Sequence, residues 1–177
     1  MPPWNGKNVY FMGFMATGKS SVGKAFARLL HRPFIDTDAV IEQRAGQEIR
    51  AIFAQQGEPV FRAMEKQIIQ EIAGQRHAVI ALGGGAVLDS ENWRIITESG
   101  ITICLTASED LIYKRIFTKS SRPLLKHESP QELRQKITAK LAERQPYYRQ
   151  AQYIFAGSEA NTPKQFAQVI YHELLLT

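Results

Sequence analysis

The 177-residue sequence predicts one α/β domain in which a parallel β-sheet is covered by helices on both faces. Three observations support this prediction. Short apolar segments alternate along the chain with longer segments of helical periodicity. The apolar segments are almost continuous, as in strands of parallel sheets that are buried on both faces. No internal repeat, low-complexity tract or linker divides the chain, so residues 1–177 are expected to form a single domain.

Five apolar segments are the candidate strands. The first is short and lacks charged residues, which suits a central strand. Ligands of parallel sheets bind at the carboxyl ends of the strands, so functional residues are expected in the turns that follow these segments. The candidate strands are residues 9–12, 34–36, 78–82, 101–105 and 152–155.

The segments between the strands are candidate helices. After Lys19, apolar side chains recur at helical spacing as far as Leu30. Two late helices have clear starts, because Ser129 and Thr162 are each followed by proline, which combines an N-cap with a proline at the first helical position. The predicted helices cover residues 19–30, 39–44, 60–73, 92–98 and 109–117, and two further helices begin near residues 130 and 163.

Composition narrows the classes of function. A net charge of +5 and a pI of about 9.4 suit anionic metabolites or nucleic acid. The chain has no RNA-binding signature and no basic strip with interleaved aromatic residues, so we expect no nucleic-acid partner. No segment has the length of a membrane span, and we recognise no signal peptide. The single cysteine, Cys104, lies in an apolar run and is predicted to be a core residue of a cytoplasmic protein.

The strongest motif is Gly13-Phe14-Met15-Ala16-Thr17-Gly18-Lys19-Ser20, which fits the phosphate-binding P-loop at every fixed position. Its glycines let successive N–H groups point into one concavity, and the helix that follows presents its positive end to the same place. Lys19 is expected to reach the outer phosphates, and the Ser20 hydroxyl to bind Mg²⁺. Because the motif joins a predicted strand to a predicted helix, it predicts a nucleoside triphosphate as ligand.

Two acidic residues, Asp36 and Asp38, follow the second predicted strand. The P-loop must lie at the same edge of the sheet. One carboxylate could hold Mg²⁺, usually through water, and the other could orient an acceptor hydroxyl and take its proton. The alternative is that one or both cap the next helix, and for Asp38 the sequence supports this alternative equally well.

Three consecutive glycines, Gly83 to Gly85, end the third predicted strand. Glycines at this place let a ligand approach the backbone and supply N–H donors, although a flexible loop is the alternative. Arg62, Arg122 and Arg144 are candidates for binding a carboxylate or phosphate through paired hydrogen bonds. Arg122 lies in residues 113–127, a segment with five basic residues and no acid. Such runs are usually solvated surfaces, but beside a P-loop this one favours a flap that faces phosphates.

Taken in order, these motifs resemble the shikimate kinase family. The match runs from about residue 8 to residue 155, and the joint order of the motifs is far more specific than any one of them after the P-loop. Two departures, Ala16-Thr17 in the P-loop and Ser21 where threonine is commoner, remove no predicted ligand. The matching segments are residues 13–21, Asp36-Thr37-Asp38, Gly57-Glu58-Pro59-Val60-Phe61-Arg62 with Glu65, Gly83-Gly84-Gly85-Ala86-Val87, Arg122-Pro123-Leu124-Leu125, and Arg144 with Pro146-Tyr147.

The resemblance implies a P-loop NTPase fold with five parallel strands in the order 2-3-1-4-5 and a mobile lid over roughly residues 113–127. It implies transfer of the γ-phosphoryl group of ATP to the 3-hydroxyl of shikimate, in the chorismate route to aromatic amino acids. Asp38, Lys19 and Arg122 would be catalytic, and Ser20 with Asp36 would hold Mg²⁺.

The resemblance also implies how the two substrates are bound. ATP would contact Gly13, Ala16, Thr17, Gly18, Lys19, Ser20, Ser21, Arg115 and Arg122. Shikimate would contact Asp38, Phe53, Phe61, Arg62, Gly83, Gly84, Gly85 and Arg144.

Two other functions stay open at this point. A related kinase for gluconate or a nucleoside monophosphate would share the P-loop and the basic lid, but it does not account for the other motifs together. A non-catalytic nucleotide-binding regulator is the second alternative, although all the matched chemical residues are intact. We expect a monomer whose partner is a small-molecule substrate.

Overall fold

The computed structural model describes residues 2–118 and 129–176. Within these ranges the chain forms a parallel sheet of five strands in the order β2-β3-β1-β4-β5, with helices on both faces. This is the predicted strand order. The strands are β1 Asn8–Met12, β2 Phe34–Asp36, β3 Val79–Ala81, β4 Gly100–Thr106 and β5 Tyr153–Ala156.

The helices alternate with the strands. A single 3₁₀ turn, Ala86–Leu88, follows β3 before the next helix begins. Helix α7 begins at a complete capping box, in which the Ser129 hydroxyl accepts from the Glu132 N–H and the Glu132 carboxylate accepts from the Ser129 N–H. The helices are α1 Lys19–Leu30, α2 Thr37–Ala45, α3 Ile49–Gln56, α4 Glu58–Ala73, α5 Ser90–Ser99, α6 Glu109–Thr118, α7 Pro130–Tyr148 and α8 Pro163–Leu176.

The sheet separates two apolar cores, because alternate residues of β1 point to opposite faces. Val9 and Phe11 pack with α1 and α8 on one face. Tyr10 and Met12 pack with helices α2 to α7 on the other face. Cys104 is buried in this second core, and burial raises the pKa of its thiol to about 11. The predicted role of Cys104 as a core residue is therefore confirmed.

The first residues of the described chain are anchored to the last helix. The Trp4 indole is buried and packs edge-on against Phe26 of α1, with the ring centroids 5.7 Å apart. It also packs at a tilt against Tyr171 of α8, with the centroids 5.6 Å apart. Arg32 donates hydrogen bonds to the carbonyl oxygens of Trp4 and Lys7. These contacts fix the chain directly before β1.

The sequence-based helix boundaries need corrections, and the starts of α4 and α5 lie at Glu58 and Ser90, two residues before the predicted residues 60 and 92. Helix α3 was not predicted, although Gly46, with φ of +65°, ends α2 before it and Gly57, with φ of +83°, ends α3 itself. Helix α2 begins at Thr37 rather than at residue 39, because Asp36 is its N-cap. No helix in the described ranges is long and apolar enough to cross a membrane.

Candidate active site

The P-loop runs from the end of β1 to the start of α1, and two glycines give it its shape. Gly13 and Gly18 have φ of +133° and +99°, which side chains of L-residues rarely adopt. A Cβ atom on Gly13 would also lie 2.2 Å from the carbonyl oxygen of Leu105. Ala16 has φ of +62° without being glycine, so it holds a strained conformation inside the loop.

Lys19 lies beneath this loop. Its Nζ donates two hydrogen bonds of 2.9 Å to the carbonyl oxygens of Gly13 and Phe14. Burial lowers the pKa of Lys19 to about 8, and the negative charges of Asp38 and Asp36 oppose this shift. The ammonium group therefore places a positive charge at the P-loop. Its hydrogen bonds to carbonyl oxygens can be replaced by hydrogen bonds to phosphate oxygens.

Asp36 connects α1 to the start of α2. One of its carboxylate oxygens accepts a 2.5 Å hydrogen bond from the Ser20 hydroxyl, and the other accepts from the backbone N–H groups of Asp38 and Ala39. The capping alternative is therefore correct for Asp36 and wrong for Asp38. Within the described ranges no group of three acidic, histidine or cysteine side chains could enclose a metal ion, but Ser20 and Asp36 offer two oxygen ligands side by side.

The glycine turn, residues 83–85, is surrounded by charged side chains. A Cβ atom on Gly83 would lie 2.7 Å from a carboxylate oxygen of Asp38 and 2.7 Å from one of Glu65. A Cβ on Gly85 would lie 2.6 Å from Nη2 of Arg62. Since no real Cβ makes such contacts, glycine at these positions is what allows the charged groups to reach the turn.

The middle residue of the turn joins it to two other parts of the site. A Cβ on Gly84 would lie 3.3 Å from Nη1 of Arg144 and 3.7 Å from both the Gly13 oxygen and the Met15 nitrogen. The glycine turn therefore lies beside the P-loop, with room for little more than a methyl group between them at Gly84. Arg144 also lies over the ring of Phe14, with Cζ 5.6 Å from the ring centroid. Its buried Nε has no hydrogen-bond partner among the described residues.

Two buried carboxylates face this turn. The pKa of Asp38 is raised by burial and by nearby Asp36, while Lys19 lowers it. The pKa of Glu65 is raised chiefly by burial, while its hydrogen bond with Arg62 lowers it. One oxygen of Glu65 accepts from Arg62 at 2.7 Å, and the other has no partner within the described part of the chain. Both groups thus keep carboxylate oxygens available at the glycine turn.

Sequence reasoning included Glu65 in a motif but gave it no role. The available signal was its position three residues after Arg62 on an amphipathic helix, which brings the two side chains to one face. Arg62 also donates to Glu58, at 3.0 and 3.1 Å, so its guanidinium is held from two sides. Next to it, the rings of Phe61 and Phe53 pack with centroids 4.8 Å apart. The residues of α3 and α4 that were predicted to contact shikimate, Phe53, Phe61 and Arg62, are therefore neighbours.

Hydrogen bonds from neighbouring elements fix the backbone of the glycine turn. The Gly83 N–H donates to the Thr37 hydroxyl at 2.9 Å. The Tyr148 hydroxyl donates to the Gly84 carbonyl oxygen at 2.6 Å. Sequence reasoning predicted neither contact, because Thr37 lies 46 residues and Tyr148 lies 64 residues from the glycine that it binds.

Two cavities lie beside α6, and one of them borders the P-loop. One of about 690 Å³ lies between α6 and the segment after β5, where Lys114 and Glu159 form an ion pair of 2.7 Å. The other, of about 540 Å³, lies between α6, α7 and β5 and borders Phe14 and Thr17. Arg115 reaches the P-loop directly, because its Nη1 donates to the Ala16 carbonyl oxygen at 2.9 Å. Asp38 and Arg62 line neither cavity.

The structure thus brings together most of the predicted site residues at one edge of the sheet. Arg122, and residues 119–127 of the predicted lid, lie outside the described residues.

Comparison with known proteins identifies the family. The family model for shikimate kinase matches residues 15–175. The chain belongs to the shikimate kinase family. The shikimate kinase of Thermodesulfovibrio yellowstonii is 41% identical over 167 residues, which cover 94% of this chain and 94% of that protein.

Solved shikimate kinases have the same fold. The Acinetobacter baumannii enzyme in complex with shikimate has a TM-score of 0.88 at 33% identity, with 98% of this chain and 95% of that chain covered. The Bacteroides thetaiotaomicron enzyme also has a TM-score of 0.88, at 35% identity, and the coverage is 97% and 99%. The family resemblance of the ordered motifs is confirmed, and the chain is an ATP-dependent phosphotransferase of aromatic amino-acid biosynthesis.

Proposed function

We propose that this chain transfers the γ-phosphoryl group of ATP to the 3-hydroxyl of shikimate across the contact between the P-loop and the glycine turn. The observation that carries the proposal is the closeness of Gly84 to the P-loop, since a Cβ atom on Gly84 would lie only 3.7 Å from the Gly13 oxygen and the Met15 nitrogen. This closeness puts an acceptor held at the turn next to phosphates held by the P-loop. Phosphoryl transfer needs positioning and positive charge more than covalent chemistry, and this arrangement supplies both.

The nucleotide half of the site comprises the P-loop and α6. We assign the phosphates to the backbone N–H groups of residues 13–21 and to Lys19, whose ammonium would leave its carbonyl partners for phosphate oxygens. Arg115, which contacts Ala16, is assigned to the adenine. The cavity of about 690 Å³ beside Lys114 and residues 156–159 offers room for the adenosine.

Ser20 and Asp36 are the residues that we assign to Mg²⁺. Magnesium is usually bound through one or two protein oxygens, with water and substrate phosphates completing the shell, so a pair of adjacent oxygen ligands suits it. When bound, the ion would neutralise charge on the phosphates. Asp36 keeps its place through the N-cap hydrogen bonds of α2.

The acceptor half of the site comprises α2, α4, α7 and the glycine turn. We assign the shikimate carboxylate to Arg62 and Arg144, because planar guanidinium groups bind carboxylates through paired hydrogen bonds. Phe53 and Phe61 form an apolar wall beside Arg62. Asp38 would orient the 3-hydroxyl and take its proton, since its carboxylate faces the turn.

Arg122 is assigned to the transferring phosphoryl group, where a guanidinium would stabilise the developing charge. A lid over residues 113–127 that excludes water remains a prediction. We also propose that residues 1–177 act as one cytoplasmic, monomeric kinase domain with no nucleic-acid partner.

The test is release of ADP from Mg·ATP with shikimate, gluconate, AMP or no acceptor, measured side by side. We expect release that depends on shikimate. Release that depends on gluconate or AMP instead would contradict the acceptor assignment and retain only the nucleotide half of the site. ATP binding without release for any acceptor would contradict the proposed reaction.

A further inference from the structure

Ala16 is the P-loop residue that has a left-handed backbone without being glycine, with φ of +62°. L-residues disfavour this region by about 5- to 30-fold relative to the right-handed one. The conformation is nevertheless useful to the loop, because backbone N–H groups converge into an anion-binding concavity where residues of opposite handedness follow one another. The contacts around Ala16 therefore decide whether the loop keeps its phosphate-binding shape.

The contacts inside the loop hold Ala16 only weakly. Residues 14–17 form a turn in which the Thr17 nitrogen lies 3.4 Å from the Phe14 carbonyl oxygen, which is longer than an ordinary hydrogen bond. The Thr17 hydroxyl and Lys19 Nζ donate to the same oxygen, at 2.8 and 2.9 Å. Lys19 is assigned to the phosphates, so its bond would be lost when ATP binds. None of these three contacts involves the Ala16 carbonyl group.

Helix α6 supplies a stronger contact to the same place. Nη1 of Arg115 donates a 2.9 Å hydrogen bond to the Ala16 carbonyl oxygen. This oxygen belongs to the same peptide group as the Thr17 N–H. The peptide is therefore held at one end by the long bond of the turn and at the other end by a charged donor, which makes the stronger hydrogen bond. Because Arg115 is half-buried and lies 99 residues from Ala16, the contact fixes the loop to a separate element.

The hydrogen bond to Ala16 leaves Arg115 able to contact the base as well. A guanidinium donates its hydrogen bonds in its own plane, and its two faces stay available for stacking. The bond to Ala16 uses an edge of the group, whereas the adenine, to which Arg115 is assigned, would use a face. One side chain can therefore support the phosphate loop and the base at the same time.

We propose that Arg115 is a positioning residue for the phosphates of ATP, because its hydrogen bond to Ala16 holds the P-loop in its phosphate-binding shape whether or not a base is bound. The inference rests on the nucleotide half of the proposed function and adds a second role to the adenine contact. It requires Arg115 and Ala16 to act together. Glycine adopts a positive φ readily, so a loop with glycine at position 16 should no longer need the support.

The first test measures the binding of Mg·tripolyphosphate, which has phosphates and no base, by calorimetric titration. Arg115→Ala should weaken binding by about 5- to 10-fold, the lower part of the range by which an L-residue disfavours a positive φ, since the Thr17 bonds remain. In an Ala16→Gly background the same substitution should cost less than about twofold. Lys24→Met, which removes one positive charge from an exposed position of α1, controls for charge alone and should match the wild type.

Three results would overturn the proposal. An unchanged affinity of Arg115→Ala for tripolyphosphate would leave Arg115 with a role toward the base alone. Equal losses with alanine and with glycine at position 16 would show that Arg115 acts through its charge rather than through Ala16. A general structural role would lower the melting temperature and weaken shikimate as much as tripolyphosphate, whereas the proposal expects shikimate binding to be kept.

ATP titrated into the same four proteins gives a second readout. Arg115→Ala should weaken ATP binding in both backgrounds, because the base contact is lost in each, but the loss should be about 5- to 10-fold larger with alanine at position 16 than with glycine. Equal losses would contradict the proposal. Wild-type protein that binds neither ATP nor tripolyphosphate would overturn the nucleotide half of the proposed function, so the two failures are distinguishable.

Discussion

The P-loop and the glycine turn both depend on glycine, but Gly13 and Gly18 of the P-loop share a requirement for positive φ, whereas the turn requires only space. In the P-loop, Gly18 has φ of +99°, and a Cβ atom there would meet only Val22 at an ordinary 3.7 Å, so the backbone conformation requires glycine. In the turn, no glycine has a positive φ. A Cβ on Gly83 would instead collide with Asp38 and Glu65 at 2.7 Å, so the space requires glycine.

The P-loop therefore depends on the conformation of its own backbone, whereas the glycine turn depends on side chains that converge on it from other elements. The P-loop is contiguous and contains most of its own geometry, so it can be recognised in isolation. The role assigned to the glycine turn depends on the side chains that surround it, which come from α2, α4 and α7. Substitutions in the two regions should therefore affect different ligands.

The largest expected effect tests whether Asp38, beside the glycine turn, is the catalytic group. Asp38→Asn should lower kcat by about 10²- to 10⁴-fold, because the amide cannot take the hydroxyl proton. ATP binding should persist. The control is Glu42→Gln, an exposed carboxylate one turn later on α2. A kcat close to that of the wild type would remove Asp38 from its assigned role.

The next prediction tests the comparison itself with paired glycine substitutions. Gly83→Ala should lower kcat/KM for shikimate by about 10²-fold, because the methyl group displaces Asp38 and Glu65, while ATP binding is kept. Gly18→Ala should weaken ATP binding and spare shikimate binding. Gly46→Ala is the control, because its φ is +65° but nothing lies within 4 Å of its Cβ position. It should cost stability only.

These three variants are measured by calorimetric titration with each ligand separately, together with thermal melts. If the alanines at positions 18 and 83 weakened the same ligand, the division into two regions would be wrong.

A smaller effect concerns the planar guanidinium of Arg62. Arg62→Lys should raise the KM for shikimate by roughly 10- to 100-fold, because a lysine ammonium keeps the charge but loses the paired geometry. Arg50→Lys, an ion-paired residue of α3 away from the turn, is the matched control. Steady-state kinetics at saturating ATP measure the effect. An unchanged KM would argue against a carboxylate clamp at Arg62.

The smallest expected effect is the pH dependence of ATP binding. The pKa of Lys19 is about 8 in the free protein, and ATP requires its charged form, so binding should take up a proton as the pH rises above 8. At pH 9 the affinity should be about tenfold lower than below pH 7.5. Calorimetry in buffers of different ionisation enthalpy measures the uptake.

The control for this prediction is Lys24→Met, an exposed lysine on the same helix, which should leave the profile unchanged. A wild-type affinity that stays flat to pH 9.5 would contradict a buried Lys19 of low pKa.

The features that could be predicted from the sequence are those that depend on residues close together in the chain. The P-loop, the five strands and the cap at Ser129 each depend on local chemistry. The family resemblance then supplied the strand order, which no local pattern contains. Helix α3 was missed because it is only eight residues long and lies between two glycines, where its short apolar pattern resembled a loop.

The parts of the site that could not be predicted depend on contacts between distant residues. Tyr148 binds a carbonyl oxygen 64 residues away, and nothing near Tyr148 in the chain indicates that partner. For Asp36 and Asp38, the sequence left the cap unassigned, because either acid could start α2. The structure distinguishes them by where each carboxylate points.

The anchoring of Trp4 has a consequence for the time at which the site is completed during synthesis. Trp4 packs against Tyr171 of helix α8 as well as against Phe26, and the P-loop begins only nine residues after Trp4. The segment before the phosphate site therefore gains its last anchor only after α8 has left the ribosome. We expect a nascent chain that is still without α8 to have its strands and P-loop sequence but to bind nucleotide more weakly than a chain in which α8 has docked.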